Sequence, residues 1–190
     1  MGVGEREDWN ERYASGSHGG GEPDAFFLQA YEDYVSPLFP NGGRALDIAG
    51  GVGRHAIWLA QRGWDVTLVD VSEEALRLAR ERAGDTAMRF VRKDVSLEAP
   101  AGSFELVLNF FYLDRGLSRA LEDALRPGGL LVFKTYTQAH PELSGGKGPT
   151  HPMHLLDSGE LLSAFEDLQI LSYRETVTKK GVAELVARKC

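Results

Sequence analysis

Residues 44–55 read Arg44-Ala45-Leu46-Asp47-Ile48-Ala49-Gly50-Gly51-Val52-Gly53-Arg54-His55, and this stretch decides the fold. A short apolar run (Ala45, Leu46, Ile48) leads into three glycines within four positions, and a helical pattern over 56–62 follows and stops at Gly63. Strand, glycine turn and helix, in that order, is the setting in which such a loop binds a ligand. Glycine opens backbone angles closed to other residues and removes side chains where a ligand must approach. Asp47 places a carboxylate inside the motif, at the carboxyl end of the strand. Loops that cradle phosphate seldom hold a negative charge there, so the ligand is expected to be cationic.

Outward from the loop, strands and helices alternate. Residues 64–70 are rich in β-branched side chains and end on Asp70; Ser72 is placed to cap a helix over 73–83 with Leu76, Ala79 and Ala83 inward. Residues 88–92 read as a third strand, followed by Asp94, and 104–111 as a fourth. Leu117, Ala120, Leu121, Ala124 and Leu125 mark a helix closed by Arg126-Pro127-Gly128-Gly129, before a fifth strand over 130–136. Between Asp94 and Ser103 there is room for a loop or a single turn, not for a full helix.

Upstream, 24–39 reads as an amphipathic helix with Phe27, Leu28, Tyr31, Tyr34, Val35 and Leu38 on one side, broken by Pro40-Asn41-Gly42-Gly43. Residues 1–23 are charged, then glycine-rich, with Trp9 and Tyr13 at the four-residue spacing that shares one face of a helix. Downstream, 138–153 is a glycine- and proline-rich loop of the length found in lids, binding loops or mobile connections. Asp157 is placed to cap the next helix with Glu160 at the capping-box position, and strands over 168–178 and 182–187 meet at the turn Lys179-Lys180-Gly181. The pattern implies an α/β fold: a Rossmann-like doubly wound sheet of about seven strands, mostly parallel with a C-terminal antiparallel hairpin, and helices on both faces.

Composition narrows the function classes. The 190 residues carry a formal net charge of -7, which argues against general nucleic-acid binding, since backbone contacts need clustered Lys and Arg. No apolar stretch approaches a membrane span, and the acidic start is not a secretory signal. Arg6 stands where a myristoylation motif wants Ser or Thr. One cysteine, Cys190, allows neither an internal disulfide nor a cysteine-based zinc site, and no metal is expected. The expectation is a cytoplasmic protein with a small-molecule site.

Asp47, Asp70, Asp94 and Asn109 all fall at strand carboxyl ends, the rim where open α/β sheets bind ligands. Asp70 follows Asp47 by 23 residues, where an acid accepts hydrogen bonds from ribose hydroxyls. The dinucleotide spacing Gly-x-Gly-x-x-Gly fails here, because counting from Ala49 its first and third glycines are Ala49 and Arg54. The spacing Asp-x-(Gly or Ala)-x-Gly-x-Gly fits residues 47–53 instead. With Asp70, Asp94 and the Arg-Pro-Gly-Gly before strand five, residues 40–136 resemble the class I S-adenosylmethionine-dependent methyltransferases. Trp9-x-x-x-Tyr13, the 110–115 stretch Phe-Phe-Tyr-Leu-Asp-Arg, and His151-Pro152-Met153-His154-Leu155-Leu156 with the following Gly-Glu-Leu-Leu are similar to the small bacterial tellurite- and thiopurine-resistance methyltransferases.

The resemblance implies a cofactor, S-adenosyl-L-methionine, and residues that hold it. Ala49, Gly51 and Gly53 would let the backbone approach it, and Asp47 would bind near its amino group. Asp70 would take the ribose hydroxyls, Val71 would pack on the adenine, and Asp94 and the N–H of Val95 would meet the adenine edge. Asn109 and Phe110 would lie beside the methyl, and Trp9 and Tyr13 would be lid residues. Ala49 stands where the family usually has glycine, a departure that requires a negative φ. The implied layout is one methyltransferase domain, 1–190, with a lid segment over 1–39, a cofactor-binding core over 40–136, and a substrate-side loop and hairpin over 137–190.

The acceptor is expected to be a small molecule such as a thiol, thiopurine or chalcogen oxyanion, with no nucleic acid or membrane partner; a monomer and a homodimer both fit. No side chain is assigned as catalytic. Tyr112 and His154 are candidates for an acceptor-side base, His55 reads as structural or cofactor-side, and alignment alone can carry methyl transfer to a soft nucleophile. An NAD(P)-dependent oxidoreductase and a non-catalytic S-adenosylmethionine-binding protein are the alternatives.

Overall fold

The computed structural model describes residues 3–16, 21–98, 101–146 and 148–190; the glycine-rich run 17–20 with His18, and Lys147 of the later loop, lie outside the described residues. Seven strands, β1 (Arg44–Ile48), β2 (Asp65–Asp70), β3 (Arg89–Arg92), β4 (Phe104–Phe110), β5 (Leu125–Tyr136), β6 (Gln169–Val177) and β7 (Gly181–Arg188), form one sheet in the order β3-β2-β1-β4-β5-β7-β6. The first five are parallel, and β7 inserts antiparallel between β5 and β6, as expected of the C-terminal hairpin. Strand order reverses between β1 and β4, where Ile48 is level with both Val69 and Asn109. That switch point opens the crevice in which α/β sheets place ligands.

Both faces of the central strands are covered, so they read as continuous apolar runs while the pleat still sorts side chains by parity. Leu106, Leu108, Leu130 and Val132 face one core with Phe27 and Leu68; Val107, Leu131 and Phe133 face the other with Leu46 and Leu185. α4 (Arg54–Ala60) leaves the glycine turn. α5 (Glu73–Ala83) is capped as the sequence indicates: Ser72 Oγ accepts from the Ala75 N–H at 3.1 Å. Acids in its first turn (Glu73, Glu74) and bases in its last (Arg80, Arg82) oppose the helix dipole favourably.

Four local expectations are corrected. The 24–39 segment is helical, but α2 (Ala25–Ala30) passes through a π turn (Tyr31–Val35) before α3 (Ser36–Leu38). The extra residue rotates the face that follows it, so Phe39 is inside and Leu38 exposed, while Phe26, ahead of the turn, is buried with Phe27. Arg126-Pro-Gly-Gly is not a plain helix stop: it is an irregularity within β5, whose register with β4 jumps from Phe104↔Leu125 to Leu106↔Leu130 after α6 (Ser118–Ala124). The 138–153 loop is partly ordered, holding α7 (His140–Leu143) and a 3-10 turn, Pro152–His154. Finally, α8 (Glu160–Ala164) starts later than Asp157; Glu160 reaches back to accept from the Asp157 N–H at 2.8 Å, one half of the capping box. Among the described residues, no helix is long and apolar enough to cross a membrane.

The amino-terminal segment forms α1 (Val3–Ala14), which packs against the start of α5. Asn10 Oδ1 accepts from Ser72 Oγ at 2.7 Å and from the Glu74 N–H at 3.3 Å. One side chain thus joins α1 to the helix that follows Asp70. The rings of Trp9 and Tyr13 lie 6.0 Å apart on this helix, on one face as their spacing indicates.

Candidate functional site at the glycine turn

The turn after β1 is built from left-handed backbone. Ala49, Gly51 and Gly53 have φ of +49°, +58° and +74°. The negative φ that would accommodate alanine at 49 is therefore not what the chain adopts; the loop geometry imposes the glycine conformation on a residue with a Cβ. Such a conformation costs about 1 kcal/mol for a non-glycine residue. Ala49→Gly is expected to stabilise the protein by about 1 kcal/mol, or roughly 3 °C in Tm, which thermal unfolding checks. The other glycines leave space that is already allotted: a Cβ on Gly50 would lie 2.6 Å from Asp47 Cγ, and one on Gly51 would strike the Tyr13 hydroxyl.

Two acids serve the turn differently. Asp70 is buried with both oxygens engaged, Oδ2 by the Gly51 N–H and Oδ1 by the Ser72 N–H, each at 2.8 Å. Burial raises its pKa, and these backbone donors oppose the rise. Asp70 therefore fastens the glycine turn to the first residue before α5. Asp47 is as deeply buried, yet neither carboxylate oxygen has a hydrogen-bond partner. Burial pushes its carboxyl up to about 7, with the Arg54 guanidinium and then the nearby Ala56 N–H, which falls short of hydrogen-bond geometry, pulling in the opposite direction. A buried carboxylate without a donor is costly. Asn109, level with Ile48 across the switch point, likewise has a buried Oδ1 without a partner.

The remaining expected residues take varied positions. Asp94, just beyond β3, accepts at Oδ1 from the Ser96 N–H (3.1 Å) and Oγ (2.6 Å), which shapes the turn ahead of buried Val95. Val71 is half-buried between Asp70 and the α5 cap. Tyr13 reaches from α1 to Gly51; burial, then the Asp70 charge, drives its phenol above the ordinary range. Phe110 is not on the rim. Its ring packs in the core against His55 at 4.2 Å and Phe27 at 6.2 Å. It is the last residue of β4, and its parity turns it to the core.

Phe111 takes the rim position instead. Its φ of +61° turns the chain out of β4, and its N–H donates to the Lys134 carbonyl at 2.7 Å. Its ring lies 4.8 Å from Tyr136, which lies 4.1 Å from His140. His55 is a structural residue: buried, it accepts at Nε2 from the Asp24 N–H at 3.2 Å, and burial, then Arg54, pulls its pKa down to about 3. Tyr112 is half-buried against the core on the α6–α8 side of the sheet, and His154 is exposed on its 3-10 turn. Neither candidate base is placed in contact with the glycine turn by the described contacts.

An ion network went unread in the sequence. Lys134, directly after the apolar run 130–133 of β5, bonds Asp24 at 2.8 and 3.1 Å and Glu184 at 3.0 Å, and Arg174 bonds the far oxygen of Glu184 at 2.8 Å. Burial would raise the Asp24 carboxyl, but Lys134 and the Phe26 N–H outweigh it and hold it low. A lysine within a buried strand was the available signal. Beside this network stands Arg54, first residue of α4, with its guanidinium 5.8 Å from the Phe111 ring centroid.

Residues 45–129 match the family model described as a methyltransferase domain. The tRNA 5-carboxymethoxyuridine methyltransferase of Escherichia coli is 32% identical over 123 residues, covering 59% of this chain and 47% of that protein. TehB from Haemophilus influenzae has a similar structure, with a TM-score of 0.74 at 17% identity over 95% of this chain and 67% of that one. Magnesium protoporphyrin IX methyltransferase from Synechocystis, solved with bound SAH, gives 0.72 at 18% identity over 97% of each chain. The chain spans about half the length of the curated relatives it matches. The likeness to solved structures establishes the fold.

Proposed function

We propose that the protein is a class I methyltransferase that transfers a methyl group from S-adenosylmethionine to a small-molecule acceptor, a reading supported by the match of residues 45–129 to the methyltransferase-domain model. The observation that carries this reading is Asp47, a buried carboxylate with no well-formed hydrogen bond, aimed into a glycine turn at the switch point of the sheet. An α-ammonium group is the ligand chemistry that relieves it, and the Asn109 carbonyl oxygen can share the load. Asp70 keeps lone pairs free for ribose hydroxyls beside its two backbone bonds. Asp94, the Val95 N–H and Val71 take the adenine end, Ala49, Gly51 and Gly53 form the floor, and Trp9 and Tyr13 on α1 form the cover.

When bound, the cofactor supplies a methyl group already activated on a sulfonium. The chain's own contribution is to hold, align and keep water out. His55 is no base at neutral pH, since its Nε2 is occupied and its pKa is low. Alignment under α1 then carries most of the rate, because fixed geometry is a large term for group transfer. The net charge of -7 supports a small acceptor over a polynucleotide. Release of S-adenosylhomocysteine, followed with thiols, thiopurines, halides, chalcogen oxyanions and bulk tRNA, tests the reading. Turnover is expected with a small acceptor and none with tRNA. Methylation of tRNA would overturn the acceptor class, and cofactor binding without turnover on any acceptor would favour a non-catalytic binding protein.

A further inference from the structure

Arg54 is the one guanidinium of the site region with neither an ion pair nor a hydrogen bond among the described residues. Two carboxylates, Asp47 and Asp24, feel its charge, but neither comes within 4.0 Å of it, and Asp24 is already bonded to Lys134. Its contact is with Phe111, which leans on Tyr136. The other cation beside Phe111, Lys134, stands 5.7 Å from the ring and is consumed by Asp24 and Glu184. So the rim beyond β4 and β5 offers an aromatic wall with one uncommitted guanidinium beside it. Phe111 is held there in a left-handed conformation that a bulky residue adopts at a cost.

We propose that this is the acceptor subsite, and that the acceptor is an anion: a small organic carboxylate or comparable oxyanion whose charged oxygens bond Arg54 while its body packs on Phe111 and Tyr136. This rests on the methyl-transfer reading and names its substrate class. A planar guanidinium is matched to a pair of anionic oxygens, which it holds by two parallel hydrogen bonds. The same chemistry exists in the methionine carboxylate of the cofactor. Arg54 stands between the two sides, its charge reaching Asp47 and Tyr13 at the glycine turn; its ring contact is with Phe111 beyond β4, and it is this contact that assigns the guanidinium to the acceptor.

The test uses the whole protein loaded with S-adenosylhomocysteine, which fills the methionine subsite, and then titrated with benzoate or with the neutral isostere benzamide. The wild type is expected to bind benzoate at least tenfold more tightly than benzamide. Arg54→Gln should abolish that preference while lowering S-adenosylhomocysteine affinity by less than tenfold, the limit for losing a charge that acts on Asp47 only at a distance, and Arg54→Lys should restore the preference in part. A more than tenfold loss of S-adenosylhomocysteine affinity in Arg54→Gln would hand the residue to the cofactor and overturn the proposal. Equal binding of benzoate and benzamide by the loaded wild type, which needs no variant, overturns it as well. Failure of the wild type to bind S-adenosylhomocysteine overturns the methyl-transfer reading itself, and this inference with it.

Discussion

Asp47→Asn is expected to make the free protein more stable at pH 8 and to weaken cofactor binding about 100-fold. Both effects have one cause. The Asp47 carboxyl titrates at about 7 in the fold against an ordinary 3.8. The native state therefore holds this proton more tightly than the unfolded chain does. Stability from this group is full below pH 4, declines as pH rises through the window from about 4 to 7, and stays low above it. The whole shift corresponds to about 4 kcal/mol. An amide removes the charge but keeps part of the desolvation cost, so a net gain of about 2 kcal/mol, or roughly 5 °C, is expected at pH 8. At pH 4 the difference should vanish. Thermal unfolding across pH 4–8 checks this, and an Asn variant no more stable than the wild type at pH 8 would show that the carboxylate is compensated after all. In the proposed site the same substitution would also remove the partner of the cofactor's ammonium group, a charge-assisted bond in a buried site, which sets the expected loss of about 100-fold. Stability and function are opposed at this residue, as at sites kept ready for a charged ligand.

Asp70→Ala is expected to move both quantities in the same direction. The carboxylate bonds the N–H groups of Gly51 and Ser72. Its removal leaves two buried donors unpaired, each costing about 1–3 kcal/mol, and frees the glycine turn from the start of α5. In the proposed site the ribose hydroxyls would lose their acceptor as well. Cofactor affinity should fall by about 100-fold or more, with Tm lower by several degrees and the loss largest at low pH, because burial raises the Asp70 pKa and its contribution declines as the carboxyl ionises. Calorimetry and thermal unfolding on the same sample decide it. Unchanged affinity would remove Asp70 from the cofactor site. The opposite signs of the stability changes at 47 and 70 separate an acid that waits for a ligand from an acid that holds the loop.

Legibility in the sequence followed the physics of each feature. β1, the glycine turn and α4 were readable because a switch of hydrophobic period around three glycines has few structural solutions, and Ser72 was readable because capping is local chemistry. The π turn at Tyr31–Val35 left no mark in the 24–39 pattern, since one extra residue shifts a helical face without breaking the hydrophobic run. Ala49 defeated the reading that only a negative φ would admit alanine, because the demand comes from the surrounding turn and not from the residue. Phe110 and Phe111 take placements the sequence did not announce for a similar reason. Strand parity sends the first to the core, and a left-handed turn that no propensity announces sends the second to the rim. Arg54 carried no signal at all in the sequence, because its interest lies in the partner it lacks.

The central claim is that the turn after β1 binds S-adenosylmethionine, and isothermal titration of the wild-type protein with that cofactor at pH 7.5 tests it most directly. The account predicts saturable binding at one site per chain, lost in Asp70→Ala and weakened as the pH is lowered from about 7 to 5, where Asp47 takes up its proton. No binding heat at cofactor concentrations up to about 1 mM would contradict it.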